Sequence, residues 1–358
     1  MPIAIFYFFD KVRDLTMKTL HIEGKTGKST LLIGERLQHL HHAILDRPAV
    51  IITDKNILAL YGKDFPDYPV IPIGCGESVK TIDTISAIYR HLMELEADRS
   101  AVIVGIGGGI VCDITGFVAS TYMRGVKFGF VATTLLAQVD ASVGGKNGVN
   151  FGGFKNMVGT FNQPEFVIAD MNLLHTLSIQ DRLCGFAEIV KHAIIADAEM
   201  FNYIENHVSQ ALELDSEVIE KLVYDSVSIK AGVVNRDETE KGERRILNFG
   251  HTIGHAIEKT MGFPHGEAVS IGMVTAASIA ERCGLLTEID ARRIEDLLTR
   301  LQLPTRLSGQ RDAILSAMRK DKKREGKDIF FVLLESIGKA VVRPLSLSCV
   351  GQLTDGLI

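Results

Sequence analysis

Short apolar runs alternate with helical periodicities over the first half of the chain. Residues 18–23, 49–53, 68–73, 101–106 and 128–133 are runs of strand length, and 49–53 (AVIIT) and 101–106 (AVIVGI) carry almost no polar residue. Runs of that kind suit parallel strands buried on both faces. Between them, Ile82, Ile85, Ile88, Leu92 and Leu95 keep helical spacing over 79–96, and Ser78 is placed to cap that helix. Strand–helix alternation predicts a parallel sheet with helices on both faces. After about Leu174 helical periodicity dominates, as in 215–234 and 268–283, and no strand-like run of length returns before 329–334 (IFFVLL). The expectation is α/β plus all-α: a nucleotide-binding-type sheet domain over 1–174 and a mainly helical domain over 175–358, in contact around a cleft.

Two glycine-rich stretches carry candidate chemistry in the first half. GKTGKST, residues 24–30, imitates a phosphate-binding loop, but Ile22 stands where that motif needs a glycine, so the stretch reads as a loop. The run from strand 101–106 into Gly107, Gly108 and Gly109 is the stronger signal. Glycines between a strand and a helix let a ligand approach the backbone, and the helix start favours phosphate. A standard dinucleotide fingerprint fails at Ile110, so a tight packed turn is the alternative. Asp54 and Asn56 end strand 49–53 at the edge where open α/β sheets bind ligands. The segment 133–156 is polar for a fold element, with Asp140, Lys146, Asn150, Lys155 and Asn156 among its glycines. It reads either as a loop for an anionic substrate or as a solvated surface loop.

In the helical half the stretch 247–267, LNFGHTIGHAIEKTMGFPHGE, contains His251, His255 and His265. The first two share a helix face, and the third follows a break at Gly262 and Pro264. Converging imidazoles suit a zinc-like cation; the plainer reading leaves two of them as surface or helix-capping histidines. Glu188 and Lys191 lie one helical turn apart in the apolar setting GFAEIVKH. They are either an exposed ion pair or a partly buried one whose carboxylate needs a partner, and with two histidines Glu188 completes a His₂Glu set. Lys230, Arg244, Arg245 and Asn248 add groups that suit a substrate with more than one anion.

Composition narrows the class. Lys plus Arg number 39 and Asp plus Glu 44, a formal charge of -5, so nothing favours nucleic acid. The hydrophobic share is 46% without an apolar run near about 18 residues, which fits a protein that does not enter a membrane. Cys75, Cys112, Cys184, Cys283 and Cys349 are scattered singly, as in a reduced, cytoplasmic protein. The apolar stretch 3–9 lacks the marks of a signal peptide and reads as an added strand or a start-site artefact, with Met17 opening the first clear strand.

Six ordered motifs over about residues 18–340 carry a resemblance: GGGIVCDITGFVASTYMRG, TTLLAQVDASVGGKNGVN, KNMVGTFNQP, GFAEIVKH, LNFGHTIGHAIE and HGEAVSIGM. The chain resembles 3-dehydroquinate synthase, of the sugar phosphate cyclase family. That resemblance implies a Rossmann-like NAD-binding domain followed by a helical metal- and substrate-binding domain, a homodimer, NAD and zinc (or cobalt). It implies conversion of 3-deoxy-D-arabino-heptulosonate 7-phosphate to 3-dehydroquinate and phosphate in the shikimate pathway. The steps implied are transient oxidation, phosphate elimination, re-reduction and aldol closure. By motif, Glu188, His251 and His265 would be metal ligands, and His255 would face the substrate phosphate. Lys146, Asn156 and Arg124 match phosphate positions, Arg124 reaching across from a partner subunit. Lys230, Arg244 and Asn248 match carboxylate and hydroxyl positions; Asp140, Lys155, Lys191 and Glu240 match further active-site positions. Asp54, Glu77, Lys80, Gly108, Gly109, Asp113, Thr133, Thr134, Lys146 and Lys155 would bind NAD, and a lysine of the 320–323 run, such as Lys322, would close the site. Cys112, Ala132 and Asn147 depart from the usual glycine, proline and threonine. A metal-dependent polyol dehydrogenase and a non-catalytic nucleotide sensor are the rival readings, separable by whether phosphate is released.

Overall fold

The computed structural model describes residues 17–307, 311–319, 324–325 and 328–357. The stretch 3–9 and Lys322 lie outside them. The first half forms strands β1 (Lys18–Gly24), β2 (Gly27–Ile33), β3 (Ala49–Asp54), β4 (Val70–Ile73), β5 (Val102–Gly107), β6 (Lys127–Ala132), β7 (Lys146–Phe151), β8 (Phe154–Phe161) and β9 (Phe166–Ala169). Helices α1 (Leu40–Ile44), α2 (Lys55–Tyr61), α3 (Ile82–Glu94) and α4 (Gly109–Thr121) connect them. Seven strands form one sheet in the order β1-β2-β9-β6-β5-β3-β4, parallel except for the β1–β2 hairpin. The antiparallel pair β7–β8 stands as a separate ribbon.

Every residue of β5 is buried, as its unbroken apolar run requires of a central strand. Successive residues of β5 serve opposite cores: Ile103 packs with Val50, Phe128 and Phe130, while Val102 and Val104 pack with Ile51, Val131 and Ile168. Each such side chain contributes about 1.5–3 kcal/mol on burial. The first of these cores continues into the second half through Phe186, Ile189, Val234, Phe249 and Ile253.

That second half holds α5 (Ile179–Ala196), α6 (Ala198–Asn206), α7 (Val208–Leu212), α8 (Ser216–Arg236), α9 (His251–Met261), α10 (His265–Arg282), α11 (Glu288–Arg300), α12 (Arg311–Arg319) and α13 (Leu347–Leu353). Strands β10 (Arg324–Glu325), β11 (Asp328–Ser336) and β12 (Lys339–Ser346) make a small antiparallel sheet beside them. Among the described residues no helix is long and apolar enough to cross a membrane.

Several elements depart from the sequence expectation. The helix expected over 79–96 starts at Ile82, with Thr81 rather than Ser78 as its cap. Residues Glu77–Val79 instead form a 3-10 turn, and Lys80 bends so that its carbonyl accepts from the amide of Asn150 at 2.8 Å. A distant strand thus overrides the nearer cap. The stretch 24–30 is a hairpin turn leading into β2, because Ser29, Leu31 and Ile33 alternate into the core. The polar segment 133–156 is not one loop: it contains a π-helical turn, Ala137–Ala141, all of β7 and the start of β8. β9, a short central strand, and β12 were not anticipated.

Candidate active site

Three helices bring a carboxylate and two imidazoles together. Glu188 lies mid-way along α5, fully buried among Phe186, Ala187, Ile189 and Val190. His251 opens α9 after Gly250, whose φ of 77° turns the chain into the helix. Gly262, φ 70°, ends α9, and Pro264 leads into α10, which starts at His265. The two helices can cross this closely because position 272 has no Cβ; one built there would meet the Gly250 carbonyl at 2.0 Å.

Oε1 of Glu188 lies 3.1 Å from Nε2 of His265 and 3.5 Å from Nε2 of His251. On the far side of each ring Nδ1 has an acceptor: the Phe249 carbonyl at 3.1 Å for His251, and Oε1 of Glu258 at 3.3 Å for His265. Nδ1 of each ring therefore donates to its acceptor, and Nε2 is the nitrogen turned toward Glu188: without a metal Nε2–H of His265 donates to that carboxylate, and a cation would take the place of this proton. Ligand atoms of Glu188, His251 and His265 all fall within 4.8 Å of one another. Two neutral nitrogens and one carboxylate oxygen are the donor set of a catalytic zinc-type centre with room for substrate. Lys191 donates to the other oxygen of Glu188 and is itself 1% exposed. Burial raises the Glu188 pKa, but Lys191, then His251 and His265, outweigh it and hold the carboxyl well below its usual range. Burial acts to lower the His265 pKa, yet Glu188 and Glu258 push it up to about 10. A field that draws a proton so strongly draws a metal cation as well. The three histidines do not converge as one set: His255 sits on the same face of α9, its ring 5.2 Å from that of His251 and 6.4 Å from that of His265.

Polar residues from both halves surround this triad. Asp140, on the π-helical turn, accepts from the buried Lys230 of α8 through its carboxylate and, at 2.6 Å, through its carbonyl. Burial lowers the Lys230 pKa to about 8 against the pull of Asp140, whose own carboxyl is held low by Lys230 and Lys191 despite burial. Arg244 is 2% exposed; it donates to the Gly144 carbonyl at 3.0 Å and to the carbonyl of Glu238. Its buried Nε–H has no hydrogen-bond partner among the described residues. Glu240 joins Lys146 to Asn248. Lys155 reaches Glu258 at 3.7 Å. Arg124 stands exposed on the turn Tyr122–Arg124, with φ 69°, and among the described residues none forms an ion pair with it.

The expected nucleotide positions cluster at the carboxyl ends of the parallel strands. Asp54 ends β3 and caps α2 through the amides of Asn56 and Ile57 at 2.9 and 3.0 Å. Gly108 precedes α4 without a side-chain cap, leaving the first-turn amides of that helix available, and Gly109 is its first residue. Thr133 follows β6; its amide pairs with the Gly107 carbonyl at 3.0 Å, and its buried hydroxyl lacks a partner among the described residues. Thr134 lies just ahead of the π-helical turn, its hydroxyl accepting from the Ala137 amide at 3.1 Å. Lys80 is buried between Asp113 and Asn156, the latter at 2.6 Å, and Asn150 donates to Glu77 at 2.7 Å. The ribbon is thereby tied to this edge of the sheet. Of the departures, Cys112 is buried beneath the Gly107 carbonyl, and Asn147 satisfies its amide on the carbonyls of Gly145 and Asn162, each at 3.0 Å.

Sequence reasoning passed over His192, Glu238 and Glu258. His192 is fully buried, 2.6 Å from the Ser226 hydroxyl and 3.8 Å from Asp140, and burial drives its pKa down to about 3. Glu258 was legible in principle, as it continues the His251 and His255 face of one helix.

Sheet, glycine turn and helical triad together are the architecture of the sugar phosphate cyclases. The structure superposes on 2-deoxy-scyllo-inosose synthase complexed with carbaglucose-6-phosphate, NAD+ and Co2+, with TM-score 0.85 and 27% identity, covering 95% of this chain and 100% of that one. It also superposes on the 2-epi-5-epi-valiolone synthase of Streptomyces hygroscopicus with NAD+ and Zn2+ bound, with TM-score 0.83 and 26% identity, covering 93% and 96%. Residues 70–183 match the 3-dehydroquinate synthase N-terminal profile and residues 185–324 the C-terminal one. A curated 3-dehydroquinate synthase of Acetivibrio thermocellus is 45% identical over 305 residues, 82% of this chain and 85% of the relative. The chain belongs to the 3-dehydroquinate synthase family.

Proposed function

We propose that the protein converts 3-deoxy-D-arabino-heptulosonate 7-phosphate to 3-dehydroquinate and phosphate. The observation that carries this reading is the convergence of Glu188, His251 and His265, with Asp140 from the other half within reach of Glu188 and holding Lys230. Zinc or cobalt held by those three would supply Lewis-acid polarisation of substrate hydroxyls. Asp54, Glu77, Lys80, Gly108, Gly109, Asp113, Thr133 and Thr134, at the strand ends, would hold NAD, which would supply reversible redox chemistry at the substrate.

The chain's own groups do the rest. Lys191 keeps Glu188 ionised in an apolar setting, so the triad stays ready for a cation. Asp140 and Glu240 hold Lys230, Lys146 and Asn248 in place before substrate arrives, which lowers the cost of orienting it. Arg244 and Lys230 bind the carboxylate, and Asn248 a ring hydroxyl. Lys146, Asn156 and His255, with Arg124 of a second copy, bind the phosphate and stabilise the charge that grows on it as it leaves. Lys155, at the turn end of the ribbon and within 3.7 Å of Glu258, adds a cation on the side of the histidines.

The reading includes a sheet domain ending near Leu174 and a homodimer. Phe151, Phe154, Met157 and Phe161 of the ribbon are 58%, 43%, 41% and 41% exposed, apolar surface that supports association of two copies near Arg124.

Phosphate release from the heptulosonate phosphate tests the function. It should require NAD+, show no net NADH formation and cease on chelation. Accumulating NADH with glycerol would support a polyol dehydrogenase, and NAD binding without phosphate release a sensor.

A further inference from the structure

α9 turns three polar side chains to one side, His251, His255 and Glu258, at helical spacings of four and three. Glu258 is the least expected of them. Its side chain is only 9% exposed, and its Oε1 lies 3.3 Å from Nδ1 of His265, across the turn at Gly262. The same oxygen is 3.7 Å from Nζ of Lys155 on β8. His265 has two ring nitrogens, and Nε2 already faces Glu188 at 3.1 Å. With a carboxylate as acceptor, Nδ1 keeps its proton when a cation displaces the one that Nε2 donates to Glu188. A neutral carbonyl, that of Phe249, serves His251 in the same way at 3.1 Å. The two ligand rings thus have unequal supports, and the charged one belongs to the ring that starts a new helix and depends least on α9 for its direction. A carboxylate behind an imidazole fixes ring orientation and makes the far nitrogen more basic.

We propose that Glu258 is the positioning residue for His265: its carboxylate fixes the tautomer and aim of that imidazole for a divalent metal shared with Glu188 and His251. This rests on the metal reading of that triad. A competing role follows from geometry too, since His255, Glu258 and His265 also bring ligand atoms within 4.8 Å of one another. Glu258 would then be a ligand of a second ion.

The test is titration of metal-free protein with Co2+ and Zn2+, following cobalt d–d absorption and bound metal per chain. Wild type should take up one tight equivalent, and His265→Ala should lose it. Glu258→Ala should still take up one equivalent, with affinity about 10–100-fold lower and an altered cobalt spectrum. Glu258→Gln, which preserves volume and an acceptor oxygen, should fall between Ala and wild type, and it carries the test if circular dichroism shows Glu258→Ala unfolded. Lys155→Met removes the ion pair to Glu258, and metal affinity, read without substrate or NAD, should stay nearly unchanged. Wild-type affinity and spectrum in both Glu258 variants would overturn the proposal while leaving the triad intact. So would two tight equivalents in wild type with one lost in Glu258→Ala, or a Lys155→Met loss as large as that of Glu258→Ala. A wild type that binds no metal would sink the triad and the proposal together.

Discussion

Lys230 and Asp140 make a doubled contact: the ammonium meets both the carboxylate and, at 2.6 Å, the carbonyl of a residue ninety positions earlier in the chain. Lys230 leaves α8 and Asp140 leaves the π-helical turn, so the contact joins the sheet half to the helical half. Burial brings the lysine pKa to about 8. Substrate binding that needs the ammonium should weaken as pH rises through about 8, seen as a fall in kcat/KM that Lys230→Met abolishes. The stability effect has the opposite sign. Between about 8 and the ordinary value of 10.5 the unfolded chain binds more protons at this site, so stability attributable to Lys230 rises with pH in that window. Thermal melts of wild type and Lys230→Met at pH 7.5 to 10, within about that range, check it.

Arg244→Lys should raise KM for the heptulosonate phosphate at least about tenfold, roughly 1.4 kcal/mol, with a smaller effect on kcat. A lysine has all its donors on one nitrogen and cannot span the Gly144 and Glu238 carbonyls as the two terminal nitrogens of the planar guanidinium do. Steady-state kinetics decide it, and an unchanged KM removes Arg244 from the substrate site.

Glu188→Ala should cost both metal and stability. It leaves the Lys191 ammonium buried at 1% exposure without its carboxylate. Breaking a buried pair from one side destabilises by about 3–5 kcal/mol. The double variant Glu188→Ala with Lys191→Met should recover much of that in urea unfolding while remaining without metal. No recovery would mean the pair is not the source of the loss.

Gly272→Ala should disturb the site from a distance. The added methyl meets the Gly250 carbonyl and forces α9 away from α10. Overpacking of this kind costs about 1–3 kcal/mol. Lower urea stability together with weaker cobalt binding is the expected outcome; wild-type behaviour in both would show that the helices can slide apart freely.

The apolar runs of β3, β5 and β6 and the helix α8 were legible because their signals are local and unbroken. The convergence of Glu188, His251 and His265 was expected from the motifs: the histidine spacings pointed to an ion, but spacing alone put His255 on the same footing as His251. What separates them is the carbonyl of Phe249 and the depth of Glu188, neither of which has a sequence pattern. The segment 133–156 misled because its glycines and amides are those of a loop. Its strands form through pairing with each other and through Asn150 on Lys80, contacts made at long range. The start of α3 was misplaced for the same reason.

Glu188, His251 and His265 belong to three separate helices, α5, α9 and α10, and no unfolded chain holds them together. An ion gripped by all three acts as a rivet through the helical half. At one hundred times its dissociation constant it would add about 2.7 kcal/mol to the folded state. The heat resistance of this chain would then serve as a gauge of the free zinc around it, and cells starved of that ion would lose the protein as well as its turnover.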